Sequence, residues 1–234
     1  MPSIRCTSRV QRRLLVIAVA ATCGGAQDLH AQPAIGIDHL ILAVDDLERG
    51  MAEFARRTGV TPVKGGVHPG RGTQNALASL GDRIYVEILA PSNEAGTTAD
   101  PRTTFRTLTP VGWALHTDDL PAVAQHLRDA SFVVSEILPG ARARPNGTRL
   151  TWQTAAVSGP SLGAAPFFIA WGSGTPHPST ESPAGCVLTS VSLSQPEPGP
   201  MRKFLASLKV AVAVDSGPAA MRVILRCPGG PVAF

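Results

Sequence analysis

The feature that most constrains the fold is an internal repeat. Asp45-Asp46-Leu47 and Asp118-Asp119-Leu120 lie 73 residues apart, each directly after an apolar strand-like run and at the head of an amphipathic segment. Repeats at a fixed offset indicate one structural unit used more than once. In the first copy, Ile37 to Val44 reads as a strand. An aspartate N-cap then opens a helix with Leu47, Met51 and Phe54 on one face, and Gly59 closes it. Strand-like pieces follow at Thr61 to Val67, Asn75 to Leu80 and Arg83 to Ala90, with Gly81-Asp82 marking a hairpin.

The second copy runs through a strand at Val111 to Thr117 and a helix with Leu120, Val123, Ala124 and Leu127 inward. Strands at Ser131 to Leu138, Thr148 to Ala155 and Pro166 to Trp171 complete it. The fold class is therefore α+β, with tandem βαβββ modules at 37–91 and 111–178 that form one cupped, mostly antiparallel sheet. A third, degenerate module is expected at 184–234, packed on the same domain: a strand at Cys186 to Ser194, a helix at Met201 to Leu208, and strands at Val210 to Val214 and Met221 to Cys227.

Residues 1–31 are set apart from this domain, and 32–36 read as a linker. Arg5, Arg9, Arg12 and Arg13 precede the apolar run Leu14 to Ala21, far shorter than the ~20 residues of a membrane span. That layout is a secretory signal peptide, with cleavage near Ala31 and a periplasmic or secreted product. Acylation at Cys23 to give a lipoprotein is the second reading, disfavoured by the bulk of Thr22. The whole chain has 21 basic and 17 acidic residues. The leader holds four arginines and Asp28, so the remainder is 17 against 16. The high pI thus belongs to the leader, and neither a nucleic-acid partner nor a membrane span is expected. Cys186 and Cys227 remain after the leader. A disulfide and two buried thiols are both open readings, and no Cys/His zinc spacing exists.

Period-two alternation sorts the strands by face. Leu40, Leu42 and Val44 suit the helix-covered side, which leaves His39, Ile41 and Ala43 facing the hollow; Tyr85, Glu87 and Leu89 face it from Arg83 to Ala90. An imidazole and a carboxylate thus interrupt an apolar concave row, and such groups are costly to bury unless paired or bound. Read from spacing, the pair is either hydrogen-bonded structure or the start of a divalent metal site. Gly159 to Gly163 matches the GxSxG pattern, but a strand follows it where a helix is required, so a serine hydrolase is discarded. Asn146-Gly147-Thr148 is a glycosylation sequon whose simpler role is a turn.

Ile37-Asp38-His39-Leu40, the run Gly65-Gly66-Val67-His68-Pro69-Gly70-Arg71-Gly72-Thr73-Gln74-Asn75-Ala76-Leu77, and Tyr85-Val86-Glu87-Ile88-Leu89 resemble glyoxalase-like domains of the vicinal oxygen chelate (VOC) superfamily. So does the stretch from Pro166 to Pro178. The resemblance implies a VOC fold and a small, anionic or carbonyl-containing ligand. It implies His39 and Glu87 as ligands of one divalent ion (Mg, Mn, Fe or Zn), with Gly112 and Ala170 standing at the second module's ligand positions. Two functions stay open: a metal-assisted lyase, isomerase or dioxygenase, and a metal-free binding module of the drug-resistance type. Glu87 is the expected catalytic group, as a general base if enclosure raises its pKa. His68, Arg71, Thr73, Asn75 and His177 are expected to bind substrate, with the loop glycines admitting a ligand close to the backbone. His116 lies on the hollow-facing side by parity, and Trp171 reads as core. A homodimer is compatible with the family, although two modules in one chain already make a cup.

Overall fold

The computed structural model describes residues 34–98, 100–144, 147–159 and 161–234. The leader with Cys6 and Cys23, the start of the linker, and Asn146 of the sequon lie outside the described residues.

Strand β1 (Gly36–Ala43) leads into helix α1 (Leu47–Thr58) and strands β2 (Val63–His68), β3 (Thr73–Ser79) and β4 (Tyr85–Pro91). The second module is β5 (Thr109–His116), α2 (Leu120–Asp129), β6 (Val133–Val134), β7 (Leu138–Ala143), β8 (Arg149–Ser158) and β9 (Phe167–Trp171). The helix starts follow local chemistry. Asp46 accepts from the Arg49 N–H and Asp119 from the Ala122 N–H, each satisfying an orphan donor of the first turn. Gly59, at φ 76°, ends α1 in the left-handed conformation that a side chain would oppose.

The large sheet has the order β2-β3-β4-β1-β5-β9-β8, with β6 and β7 both on the far flank of β8. β1 lies parallel to β4, β5 parallel to β9, and β1 antiparallel to β5. The two modules are thus joined first strand to first strand, which is how tandem βαβββ units build one cup. The edges β2 and β7 also meet: a Cβ on Gly65 would stand 2.5 Å from Arg142 Nη1, and one on Gly66 3.2 Å from the Ala143 carbonyl oxygen. Two glycines here let the sheet curl until its flanks touch.

The strand expected at Ser131 to Leu138 is instead two pieces, of which β7 runs on to Ala143. Pro139 has no N–H to donate, which an edge strand tolerates. The Trp152 indole lies where a Cβ on Gly140 would stand, 2.2 Å from its Nε1. The strand read from sequence stopped at Leu138, because the Pro-Gly pair after it shows neither an edge nor a covering ring.

Behind the sheet, β10 (Val187–Gln195), α4 (Pro198–Ser207), β11 (Ala213–Ser216), β12 (Ala220–Cys227) and β13 (Gly230–Ala233) follow a short helix, α3 (Pro178–Glu181). They form a second sheet of order β11-β10-β12-β13. Its element order resembles the modules, but its pairing does not: the strand after the helix, β11, lies parallel to β10. Leu40, Trp113, Leu115, Phe168, Phe204 and Val223, each at most 1% exposed, belong to one core cluster joining both sheets and the helices. Each such side chain contributes roughly 1.5–3 kcal/mol of apolar burial. Phe204 of α4 meets Phe132 and Phe168 edge-on, which fixes this segment behind the second module. Cys186 and Cys227 are joined as a disulfide, resolving the two readings the sequence left open. Among the described residues, no helix is long and apolar enough to cross a membrane.

Candidate functional site

The concave side of the large sheet encloses a cavity of about 520 Å³. One pole is polar and comes from the first module, where His39, His68, Thr73, Asn75 and Glu87 reach the wall; the second module supplies Trp152, Phe167, Ile169 and Trp171. Arg71 and Arg102 stand at the same cavity, with Arg142.

His39 is fixed from behind. β1 breaks register between Ile37 and His39, and the bulge turns Asp38 toward the pole. Asp38 is fully buried, and its Oδ1 accepts from His39 Nδ1 at 2.7 Å. Its Oδ2 accepts from the Trp171 indole N–H at 2.9 Å and from His177 Nε2 at 3.2 Å. The Ser179 N–H donates to His177 Nδ1, so the His177 proton sits on Nε2 and points at Asp38. Burial alone would raise the Asp38 pKa, but the hydrogen bonds from His177 and His39 hold it far below the usual carboxylate range. An ionised Asp38 places the His39 proton on Nδ1. The other ring nitrogen, Nε2, lies 3.6 Å from Glu87 Oε2. Tyr85 stacks on His39 with centroids 4.7 Å apart, holding the ring's plane.

Glu87 belongs to a second network. Asn75 Nδ2 donates to Glu87 Oε1 at 2.6 Å, and its other proton faces His68 Nε2 at 3.2 Å. His68 Nε2 therefore accepts, and Nδ1 donates to Thr73 Oγ1 at 2.9 Å. Burial lowers the His68 pKa, Arg142 and Arg71 add to this, and Glu87 opposes it. For Glu87, burial pushes the pKa up, but His68, His39, Asn75 and Arg142 together bring it below its ordinary value. That corrects the expectation of a raised pKa: enclosure in apolar surroundings acts alone only when no donors converge on the carboxylate.

Of the other residues singled out from sequence, His177 does not line the cavity but braces Asp38 from outside it. Gly70 and Gly72 serve the turn, at φ 69° and 64°, and a Cβ on Gly72 would strike the Thr98 carbonyl oxygen. His116 packs over Gly36 rather than into the cavity, and its Nδ1 has no partner among the described residues. Trp171 is both wall and hydrogen-bond donor rather than core alone. Ser161 lies between two strands and bonds Glu197, with no histidine. Sequence reasoning missed Asp38, Arg102 and Arg142. Arg142 had no signal, because β7 did not read as a strand. Asp38 had a faint one: a carboxylate on the core-facing side of an apolar strand needs a partner.

A family model for a glyoxalase-like domain matches residues 37–209, well over half of the chain. The chain belongs to this family. A hypothetical protein from Staphylococcus aureus shares the fold, with a TM-score of 0.63 at 16% identity over 80% of this chain and 88% of that one. Methylmalonyl-CoA epimerases also match: that of Mycobacterium tuberculosis at TM-score 0.39 and 20% identity (58% of this chain, 86% of that one). A Streptomyces coelicolor epimerase matches at 0.41 and 19% (58% and 98%). No curated protein matches the chain by sequence.

The fold of this glyoxalase-like domain is the VOC fold, in which a divalent ion is the implied cofactor. The donor set does not fit one. Among the described residues no group of three or more His, Cys, Asp or Glu is placed to hold a metal. Gly112 has Ile41 lying over it. Ala170 does not line this cavity, where its neighbours Ile169 and Trp171 take the inward face of β9. The second module's two expected ligand positions therefore bring no donor to the pole among the described residues, and Glu87 Oε1 is already held by Asn75.

Proposed function

We propose that this glyoxalase-like domain binds a small organic molecule directly on its own side chains. A carbonyl or carboxyl oxygen lies at the polar pole and the body against the aromatic wall. The observation that carries this reading is the cavity's division into a pre-organised polar end and an apolar end. That is the usual build of a small-molecule site. Of the two functions the resemblance allows, the metal-free one is favoured by the wall that Phe167, Ile169 and Trp171 present where ligands would be needed. Since β2 and β7 close the cup within one chain, binding needs no second copy.

Proton transfer is the second reading, favoured by the Asp38–His39 pair. A histidine oriented by one buried carboxylate and facing a second, Glu87, across its other nitrogen has an arrangement suited to moving a proton. We also read the protein as exported: the leader-like N-terminus and the Cys186–Cys227 disulfide both suit an oxidising compartment.

The test is elemental analysis of the purified protein beside His39→Ala and Glu87→Ala, followed by ligand titration after chelation. Metal-free protein that still binds small carbonyl compounds supports the reading. Near-stoichiometric metal lost in both variants would replace it with the metal-assisted one.

A further inference from the structure

Arg142 ends at the cavity in an unfinished state. The residue is 5% exposed. Its Nη1 donates to Asn75 Oδ1 at 2.7 Å, while the buried Nε has no hydrogen-bond partner among the described residues. It pairs with no carboxylate there either. Asn75 stands between cation and anion, its oxygen toward Arg142 and its Nδ2 toward Glu87. A buried guanidinium with few acceptors is costly, and one kept beside a cavity presents its reachable terminal N–H groups to a molecule that enters.

The charges around the cavity point the same way. Three guanidinium groups, Arg71, Arg102 and Arg142, face it with two carboxylates, Asp100 and Glu87. Asp100 is spent on Arg102, which it grips through Nε at 3.0 Å and Nη2 at 2.6 Å. Glu87 is held by Asn75 and faced by His39 and His68. Asp38 lies behind the wall, occupied by His39, His177 and Trp171. Arg142 and Arg71 are left without a carboxylate among the described residues, and Arg71 sits exposed at the rim.

We propose that the ligand is an organic carboxylate anchored on the terminal N–H groups of Arg142, Nη1 and Nη2, with a flat apolar body against Trp152, Trp171 and Phe167. Two parallel N–H donors on one guanidinium edge match the two oxygens of a carboxylate. A phosphate is usually met by backbone N–H groups at a helix N-terminus; among the described residues no α-helix start lines this cavity, and the first turn of the short 3-10 helix at Pro101–Thr103 is already capped by the Asp100 carboxylate. Arg71, on the turn after β2, caps the anion from the rim. The proposal rests on the reading of the cup as a ligand site and names the class of ligand it takes.

The experiment is calorimetric titration of the metal-stripped full chain with 3-phenylpropionate, indole-3-acetate and phenylpyruvate, and with their neutral amides. At least one acid is expected to bind roughly 10- to 100-fold more tightly than its amide, the difference a hydrogen bond to a charged group makes. Arg142→Gln should erase that preference, and Arg71→Gln should reduce it. Amides that bind as well as the acids would overturn the carboxylate and leave the cup reading standing. If neither series binds, both fall together. Circular dichroism establishes whether Arg142→Gln is folded; if it is not, the acid-to-amide ratio of the wild type decides alone.

Discussion

Asp38 and His177, 139 positions apart in the chain, meet through a 3.2 Å contact between Oδ2 and Nε2. The contact ties the turn before α3 to the bulge in β1, and through Asp38 it reaches the ring of His39. His177 is thus a positioning residue. Its replacement by Ala removes a donor from a buried, ionised carboxylate, which costs about 1.5–3 kcal/mol. Chemical denaturation is expected to show that loss. His177→Gln, which can still donate, should recover part of it; equal losses in both variants would mean that packing matters and the hydrogen bond does not.

Acid should destabilise the fold in two stages. The folded-state pKa of His68 is depressed, chiefly by burial. The unfolded chain therefore binds more protons as pH drops, and the contribution of His68, complete above about pH 6.5, is lost below it. Asp38 and Glu87 are also depressed, because their hydrogen-bonding and charged partners outweigh burial. Their contribution is complete above about pH 5 and fades as pH falls through about 4. Urea unfolding across this range should show a first decline that His68→Gln abolishes and a second that Asp38→Asn reduces, leaving the part due to Glu87. Flat stability between neutral pH and about pH 5 in the wild type would contradict the assignment of His68.

Gly65 is where the cup is closed. A methyl group there would stand 2.4 Å from Asn75 Oδ1 and 2.5 Å from Arg142 Nη1, closer than real contacts allow. Gly65→Ala is expected to cost about 1–3 kcal/mol, as overpacking does, and to part Arg142 from Asn75. Thermal unfolding reads the first effect, and the acid-to-amide binding ratio reads the second. A variant as stable as the parent would show that the β2–β7 seam is looser than described.

The disulfide between Cys186 and Cys227 spans 41 residues and clamps the start of β10 to the end of β12. Closing a loop of that length restricts the unfolded chain by about 4 kcal/mol. Paired Cys→Ser substitution, or unfolding in reductant, should lower the midpoint accordingly. An unchanged midpoint in reductant would argue that the bond contributes nothing to stability in solution.

Much of the architecture was legible in the residues because it depends on local periodicity. The repeated Asp-Asp-Leu marked both helix starts, and alternation along β1 and β4 put His39 and Glu87 on one face, where the structure brings them within 3.6 Å. The His68 to Asn75 run was legible as a polar loop and strand, and its side chains do reach the cavity. These features are set by neighbours in the chain, so the chain alone determined them.

What the tertiary structure decided is where distant segments meet. Asp38 has the parity of a core residue, and only the bulge in β1 turns it to His39, with His177 and Trp171 arriving from far along the chain. Arg142 sits beyond the strand that the sequence ends at Leu138, in a segment without a strand pattern of its own. It becomes a cavity residue because the sheet curls until β7 meets Gly65 on β2. A bulge and a curl are collective properties of the hydrogen-bonded sheet. No window of sequence holds them, and so the pole's supporting carboxylate and its free cation were hidden until the strands were paired.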